Sequence, residues 1–143
     1  MTIPHHWLAA GTWPAGFMTT RRHTIKLALP WPPSANAYYR AYVAGTRPAS
    51  KLSAKGRAYK SLAASAIAAQ DVGYLRGKVR VVIAAYEPDR RRRDIDNLLK
   101  PALDAVEAAG VIANDHDIDD LRIFRRGYAK PGRLVVYLRE VSP

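Results

Sequence analysis

The chain has 143 residues and a mass of 15.9 kDa, enough for a single domain with an ordinary core. Its 23 Lys and Arg residues outnumber 12 Asp and Glu residues, and the net charge of +11 favours a polyanionic partner, nucleic acid first. It has no cysteine, which excludes disulfides, thiolate metal sites and a cysteine nucleophile and fits a cytoplasmic protein. Because no apolar run approaches the roughly 18 residues of a membrane span, we expect no membrane partner.

The first half of the chain contains one predicted strand and one predicted helix. Residues 1–23 show little helical or strand pattern and are expected to form a flexible extension, within which Met18 is a candidate for the true start. Residues 24–31 alternate apolar and polar positions, as a strand does. Residues 53–70 carry apolar residues at helical spacing, and Ser53 is the expected N-cap.

The second half predicts a strand, a helix and two further strands. Residues 78–88 are rich in β-branched residues and end at a proline, and residues 96–110 have a helical apolar face. Residues 118–127 and 133–141 predict two closing strands joined by a Pro-Gly turn. The order β-α-β-α-β-β predicts an α/β (α+β) fold: one small domain, residues 24–143, with a mixed sheet flanked by two helices.

The acidic residues are concentrated in one segment. Residues 94–120 contain eight acids and one base, whereas the rest of the chain contains 22 bases and four acids. Pure electrostatic binding of nucleic acid does not need such an acidic segment. Chemistry on a phosphodiester that requires a cation does.

Asp94 and Asp96 are separated by one residue. In extended backbone their carboxylates project from the same side and repel each other, and a hard divalent cation such as Mg²⁺ removes that conflict. Alternatively they serve the helix start, since acids are favoured at a helix N-terminus and Asp96 or Asn97 is a candidate cap. The pair alone leaves both interpretations open.

Further polar residues can complete a site around this pair. Asp115 follows the second helix and can return to the pair, although the run containing Asp117, Asp119 and Asp120 offers rivals. Lys100 lies one helical turn after Asp96, where it is either a salt-bridge partner or a source of positive charge beside a scissile phosphate. Asn97 is a candidate to orient one carboxylate from behind.

Basic and aromatic side chains nearby are candidates for contact with DNA. Arg90, Arg91, Arg92 and Arg93 form a run expected to hold the phosphate backbone. Trp31, Tyr38, Tyr39 and Tyr42 either stack on unpaired bases or pack into the domain, and Arg40 adds charge beside them.

Three stretches, at 87–118, 29–40 and 53–60, give the chain a resemblance to the RusA family of Holliday junction resolvases. The segment 130–138 also resembles the family's last hairpin. The resemblance implies a homodimeric, Mg²⁺-dependent endonuclease (Mn²⁺ being a substitute) that cuts four-way DNA junctions by paired symmetric nicks in the cytoplasm of a bacterium or of a phage's host, at the nucleoid. It implies that Asp94, Asp96 and Asp115 are the metal-binding aspartates and that Lys100 is the essential lysine.

Two alternatives remain at this point. A non-catalytic basic DNA-binding module would use the aspartates structurally and would bind without cutting. A metal-dependent nuclease of other specificity would cut linear DNA or RNA as well as junctions.

Overall fold

The computed structural model describes residues 24–141, so the predicted extension at residues 1–23, including Met18, lies outside the described residues. The elements in chain order are β1 (Thr24–Pro30), α1 (Ala35–Tyr38), β2 (Tyr39–Ala44), β3 (Arg47–Leu52), α2 (Ala54–Gln70), β4 (Val79–Glu87), α3 (Leu99–Ala108), β5 (Ile118–Tyr128) and β6 (Arg133–Glu140). Short 3₁₀ turns at Ile95–Leu98 and Asp115–Asp117 precede α3 and β5. The mixed α/β architecture predicted from the sequence is confirmed.

The main sheet has four strands in the order β1-β6-β4-β5. Strand β4 lies inside the sheet, antiparallel to β6 and parallel to β5. Seven of its nine residues are buried, all but Arg80 and Tyr86, as its run of β-branched residues predicts. The expected final hairpin is wrong: β5 and β6 are joined by a short connection but β4 lies between them. The central apolar strand takes the most buried position and separates its two successors.

Helices α2 and α3 pack on one face of this sheet around the main core. The core joins Tyr59, Ala63 and Ile67 of α2 to Ala102 and Val106 of α3 and to inward residues of the four strands. A smaller apolar cluster, including Val82 and Tyr137, covers the opposite face. Both predicted helices therefore flank the sheet, on the same side.

The start of α2 is fixed by a cap and by one close contact. The Ser53 hydroxyl accepts a hydrogen bond from the Gly56 amide at 3.0 Å, so the predicted N-cap is confirmed. Gly56 is buried against the backbone of Tyr38, and a Cβ at this position would overlap the Tyr38 carbonyl oxygen. Glycine is therefore required by packing here, despite its low helix propensity.

The start of α3 differs from the prediction. The segment from Ile95 to Leu98 forms a 3₁₀ turn, and Leu98 occupies the N-cap position of α3 without a side-chain cap. Asp96 and Asn97 therefore cap neither segment, and Asp94, which precedes the 3₁₀ turn, makes no capping hydrogen bond either. Pro101 follows in the first turn of α3, where an amide hydrogen is not needed.

Strands β2 and β3 form a two-stranded hairpin that the sequence patterns did not predict. We call Tyr39–Leu52 the basic hairpin. Its turn contains Gly45 at a φ of 64°, a conformation that glycine adopts without strain. Its residues are mostly exposed and lack the alternating burial that marks a strand of the main sheet.

Candidate active site

Asp94 and Asp96 lie on the connection that follows the central strand β4, at the entrance to the 3₁₀ turn. Both residues are exposed, and among residues 24–141 neither carboxylate takes part in a hydrogen bond or an ion pair. The capping role that competed with metal binding is thus absent. Two neighbouring carboxylates without a counter-charge have the donor chemistry that a hard divalent cation prefers.

Lys100, on the first turn of α3, connects two further carboxylates. Its Nζ lies 2.9 Å from Asp104 Oδ1 and 3.3 Å from Asp115 Oδ2. The hydrogen bond with Asp104 is the main cause that raises the pKa of Lys100 above its ordinary value, and the contact with Asp115 adds to it. The Lys100 ammonium is therefore charged at any pH at which the protein would act on DNA. Asp104 and Asp115 fix its position from two sides.

Asp115 lies beside α3, in contact with Lys100, whereas the predicted return was to the pair Asp94 and Asp96. Besides its contact with Lys100, its backbone amide donates to Glu107 Oε2 at 2.9 Å, which ties the second 3₁₀ turn to α3. The Asn114 side chain caps this turn by accepting from the His116 amide at 2.9 Å. The end of α3 and the turn therefore support Asp115 directly.

The three rival aspartates are occupied elsewhere. Asp117 and Asp119 lie 3.9 and 3.8 Å from Lys78 Nζ, and Asp120 lies 3.0 Å from Arg80 Nε. These ion pairs fasten the start of β5 to the start of β4. Asp115 is left as the acid of this run that faces α3 and Lys100.

The four predicted catalytic residues do not form one closed cluster. Within residues 24–141, no three His, Asp or Glu side chains converge closely enough to hold a metal ion. Asp115 instead has a counter-charge in Lys100, whose Nζ lies 3.3 Å from its Oδ2. Asp94 and Asp96 fit a divalent cation by their chemistry and lack of partners, and the role of Asp115 as a third ligand stays a prediction.

A cavity of about 280 Å³ lies beside Asp94. Asn97, Arg92, Trp31 and Asn36 contribute to its wall. Asn97 makes no side-chain hydrogen bond to another described residue, so its predicted role in orienting a carboxylate has no contact to support it. The cavity brings amide and guanidinium donors next to a carboxylate with no protein partner.

The four arginines of the basic run differ in what they contact. Arg93 donates to Asp89 Oδ1 at 2.7 Å and lies over the Trp31 ring, 5.8 Å from its centroid, so it braces the loop after β4. The hydrogen bond from Arg93 is the main cause that lowers the pKa of Asp89 to about 2. The other three are exposed: Arg91 lies 3.7 Å from Asp89, Arg90 stacks on an exposed Tyr128 ring, and Arg92 faces the cavity.

Tyr39 and Arg40 begin the basic hairpin, and only Tyr39 is bound to a side chain of the candidate site. The Tyr39 hydroxyl donates to Asp104 Oδ2 at 3.2 Å, and burial, followed by the Asp104 charge, raises its pKa. Arg40 is exposed on the hairpin. Tyr38 is fully buried, which settles the choice between stacking and packing for that ring.

Asp104 is the site residue that sequence reasoning missed. It binds both Lys100 and Tyr39, and thereby joins the proposed catalytic lysine to the root of the hairpin. Its signal was present in the sequence, since Lys100 and Asp104 are four residues apart on a predicted helix. The bond from Tyr39 spans 65 residues and had no such signal.

Exposed carboxylates without partners, a fixed lysine and a surrounding basic surface are features of a nuclease. No helix within residues 24–141 has the length and apolar character needed to cross a bilayer.

Comparison with known proteins gives the family. The family model for endodeoxyribonuclease RusA matches residues 30–139, and the chain belongs to this family. The chain is 40% identical over 122 residues to the crossover junction endodeoxyribonucleases RusA of Escherichia coli strain K12 and of Shigella sonnei, an alignment that spans 84% of this chain and 98% of each relative. The crossover junction endodeoxyribonuclease of Enterobacteria phage 82 is 39% identical over the same shares.

Proposed function

We propose that this protein is an endodeoxyribonuclease that resolves four-way (Holliday) DNA junctions during recombination and repair. The observation that carries the proposal is the pair Asp94 and Asp96, exposed and without protein partners, on a chain whose family relatives are named crossover junction endodeoxyribonucleases. The net charge of +11 supports a DNA substrate.

Asp94, Asp96 and Asp115 are the residues that would hold the metal, with Mg²⁺ as the proposed ion and Mn²⁺ as a substitute. When bound, such an ion lowers the pKa of a coordinated water and stabilises charge on the phosphate. Lys100 keeps a fixed positive charge beside Asp115, where it offsets negative charge that accumulates on the phosphate during cleavage. Arg90, Arg91 and Arg92 attract the DNA backbone that the carboxylates alone would repel.

The proposal includes a homodimer. A four-way junction is close to two-fold symmetric, so a two-fold dimer places one active site on each of two opposed strands. Paired nicks then follow from the symmetry of the assembly. The protein would act on DNA in the cytoplasm of a bacterium or of a phage-infected host, at the nucleoid.

The test is cleavage of a synthetic four-way junction and of a linear duplex of matched sequence, each with Mg²⁺ and with EDTA. We expect Mg²⁺-dependent nicks in the junction and none in the duplex. Asp96→Asn should abolish cleavage while junction binding is retained. Asp119→Asn is the matched control, since Asp119 is equally an exposed aspartate but pairs with Lys78, and it should cut normally.

Each alternative predicts a different result in this assay. Binding without cleavage by the unaltered protein would identify a DNA-binding module. Similar cleavage of junction and duplex would identify a nuclease of other specificity, and cleavage by Asp96→Asn would rule out the proposed metal site.

A further inference from the structure

The basic hairpin projects from the domain rather than packing on it. Every residue from 40 to 48 is exposed, and only Tyr39 and Leu52, at the base, pack against the main core. Its apolar side chains near the turn remain in solvent: Tyr42 is 41% exposed and Val43 is 69% exposed. A two-stranded ribbon that buries so little gains little stability from its own side chains, so its shape calls for another explanation.

The strand register sorts the hairpin residues onto two different faces. Arg40 is opposite Lys51, Tyr42 opposite Ala49, and Ala44 opposite Arg47. Because alternate residues of a strand share a face, these six side chains project from the same side. This side, which we call the cationic face, carries all three basic residues of the hairpin together with Tyr42, and residues 39–52 contain no acid.

Two like charges of the cationic face lie directly across from each other and repel. Like charges directly opposite each other on paired strands destabilise a sheet, and Arg40 and Lys51 are such a pair. Neither one has a hydrogen bond or ion pair with an acidic side chain among residues 24–141. A polyanion lying along this face would remove the repulsion.

Tyr42 has the environment of a stacking residue. Lys51 Nζ lies over its ring, 5.2 Å from the centroid, and the residue is 41% exposed to solvent. An aromatic ring between cations on one surface is the arrangement with which proteins hold a nucleic-acid strand, the ring stacking on a base and the cations binding phosphates.

The base of the hairpin is fixed next to the candidate active site. The Tyr39 hydroxyl donates to Asp104, which holds Lys100. Just after the other strand, the Ser53 amide donates to the Tyr38 carbonyl at 2.9 Å, and Arg57 donates to the carbonyl of Leu52, the last residue of that strand, at 2.9 Å. The root of the hairpin is therefore held at Asp104, next to Lys100 of the candidate active site.

We propose that the cationic face of the basic hairpin binds a DNA strand at the branch point, with Arg40, Arg47 and Lys51 on phosphates and Tyr42 stacked on a base that is accessible there. The inference rests on the proposed function, because it assumes branched DNA as the substrate. It adds the surface that distinguishes a branch from a continuous duplex, in which every base is already stacked.

The test is equilibrium binding in EDTA, so that cleavage plays no part, of a fluorescent four-way junction and a matched linear duplex across a series of salt concentrations. Arg40→Gln/Lys51→Gln is compared with Lys26→Gln/Arg126→Gln, which removes the same two charges from the outer strands β1 and β5 of the main sheet. Tyr42→Ala is compared with Tyr42→Phe, which keeps the ring. Circular dichroism and size exclusion check that each variant is folded and keeps its oligomeric state.

For the charge variants, we expect the hairpin pair to flatten the plot of log affinity against log salt by about 1.4 to 1.8, the value for two lost phosphate contacts, and the control pair to leave the slope unchanged. A hairpin variant with an unchanged slope would overturn the proposal. So would one that binds normally but self-associates, because the charges would then protect strand edges only.

For the aromatic variants, Tyr42→Ala should weaken junction binding at least about fivefold and duplex binding less than twofold, while Tyr42→Phe binds like the unaltered protein. Equal loss on junction and duplex would refute base stacking. The proposed nuclease activity is judged separately, by cleavage with Mg²⁺, so either conclusion can fail without the other.

Discussion

At the scale of single residues, Asp104 organises the candidate site although no metal role is assigned to it. One carboxylate oxygen receives Lys100 at 2.9 Å and the other receives the Tyr39 hydroxyl at 3.2 Å. Because Asp104 makes the shorter of the two carboxylate contacts of Lys100, we propose that it positions the Lys100 ammonium.

We predict that Asp104→Asn slows cleavage of the junction at saturating DNA while junction affinity changes little. The amide keeps the size of the side chain but loses the charge that attracts the Lys100 ammonium, so Lys100 is less well held. Single-turnover rates and binding affinities measured side by side provide the check. Loss of affinity with a normal rate would contradict a positioning role. The comparison variant is Glu107→Gln, which alters the contact of Glu107 with the Asp115 amide and leaves Asp104 unchanged.

Asp89 provides a pH-dependent test of the loop that carries the arginines. Its pKa is lowered from 3.8 to about 2, chiefly by the hydrogen bond from Arg93 and then by the Arg91 amide. A carboxyl whose pKa is lower in the folded state stabilises that state above the unfolded pKa, and this contribution is lost as pH falls toward the folded pKa. We predict that Asp89→Asn lowers the free energy of unfolding at pH 7 and that its difference from the unaltered protein shrinks between pH 4 and pH 2. Urea unfolding at these pH values measures it, and a difference that is constant with pH would contradict the assignment.

At the scale of elements, the contact between α2 and the end of α1 depends on Gly56. Alanine is the better helix former, but its methyl group would overlap the Tyr38 carbonyl oxygen. We predict that Gly56→Ala destabilises the protein by about 1 to 3 kcal/mol, as overpacking does. Gly127→Ala is the control, since nothing lies within 4 Å of a Cβ there, and it should be neutral or slightly stabilising in urea unfolding. Equal effects of the two changes would show that backbone freedom, not packing, governs Gly56.

A side chain of α2 satisfies two backbone groups on the outer edge of strand β1. Gln70 accepts from the Ala28 amide at 2.7 Å and donates to the Ala28 carbonyl at 2.8 Å, which are the two bonds that a neighbouring strand would make. We predict that Gln70→Ala destabilises the fold by about 1 to 3 kcal/mol, because two partly buried backbone groups lose their partner. Urea unfolding measures the loss of stability. Gln70→Glu keeps the acceptor and removes the donor, so it should lose part of the stability that Gln70→Ala loses. No loss in either variant would contradict the role of this pairing.

The elements also show what sequence patterns reach and what they miss. Strands β1, β4 and β6 and helix α2 follow from apolar periodicity and from Ser53, because these elements bury one side or both. The basic hairpin was missed because its stability does not come from a buried face, and periodicity reports only burial. The position of β4 between β5 and β6 likewise does not follow from any local pattern, since strand order depends on contacts between segments distant in the sequence.

The candidate site divides along the same line. Asp94, Asp96, Asp115 and Lys100 could be proposed as site residues because their spacing and their resemblance to a family are properties of the sequence. The contact of Tyr39 with Asp104 could not, because it joins residues 65 apart through the fold. The absence of a side-chain cap at Asp94 also needed the structure, since the sequence allowed both capping and metal binding.

At the scale of the whole molecule, the basic and the acidic residues are concentrated in different parts of the chain, and we assign them different roles. Twenty-two bases outside residues 94–120 draw DNA toward a segment with eight acids, and the lone base of that segment, Lys100, lies between two of them. The proposed dimer would repeat this arrangement about a two-fold axis and so match the symmetry of a junction.

The central claim, paired nicking of a junction, is tested most directly with a supercoiled plasmid that extrudes a cruciform. Two coordinated nicks across the four-way junction convert this plasmid to linear DNA, whereas a single nick gives a relaxed circle. We predict linear product that requires Mg²⁺, requires the cruciform and is lost in Asp96→Asn. Relaxed circles as the sole product, or equal cutting of a plasmid that lacks the cruciform, would contradict a resolvase.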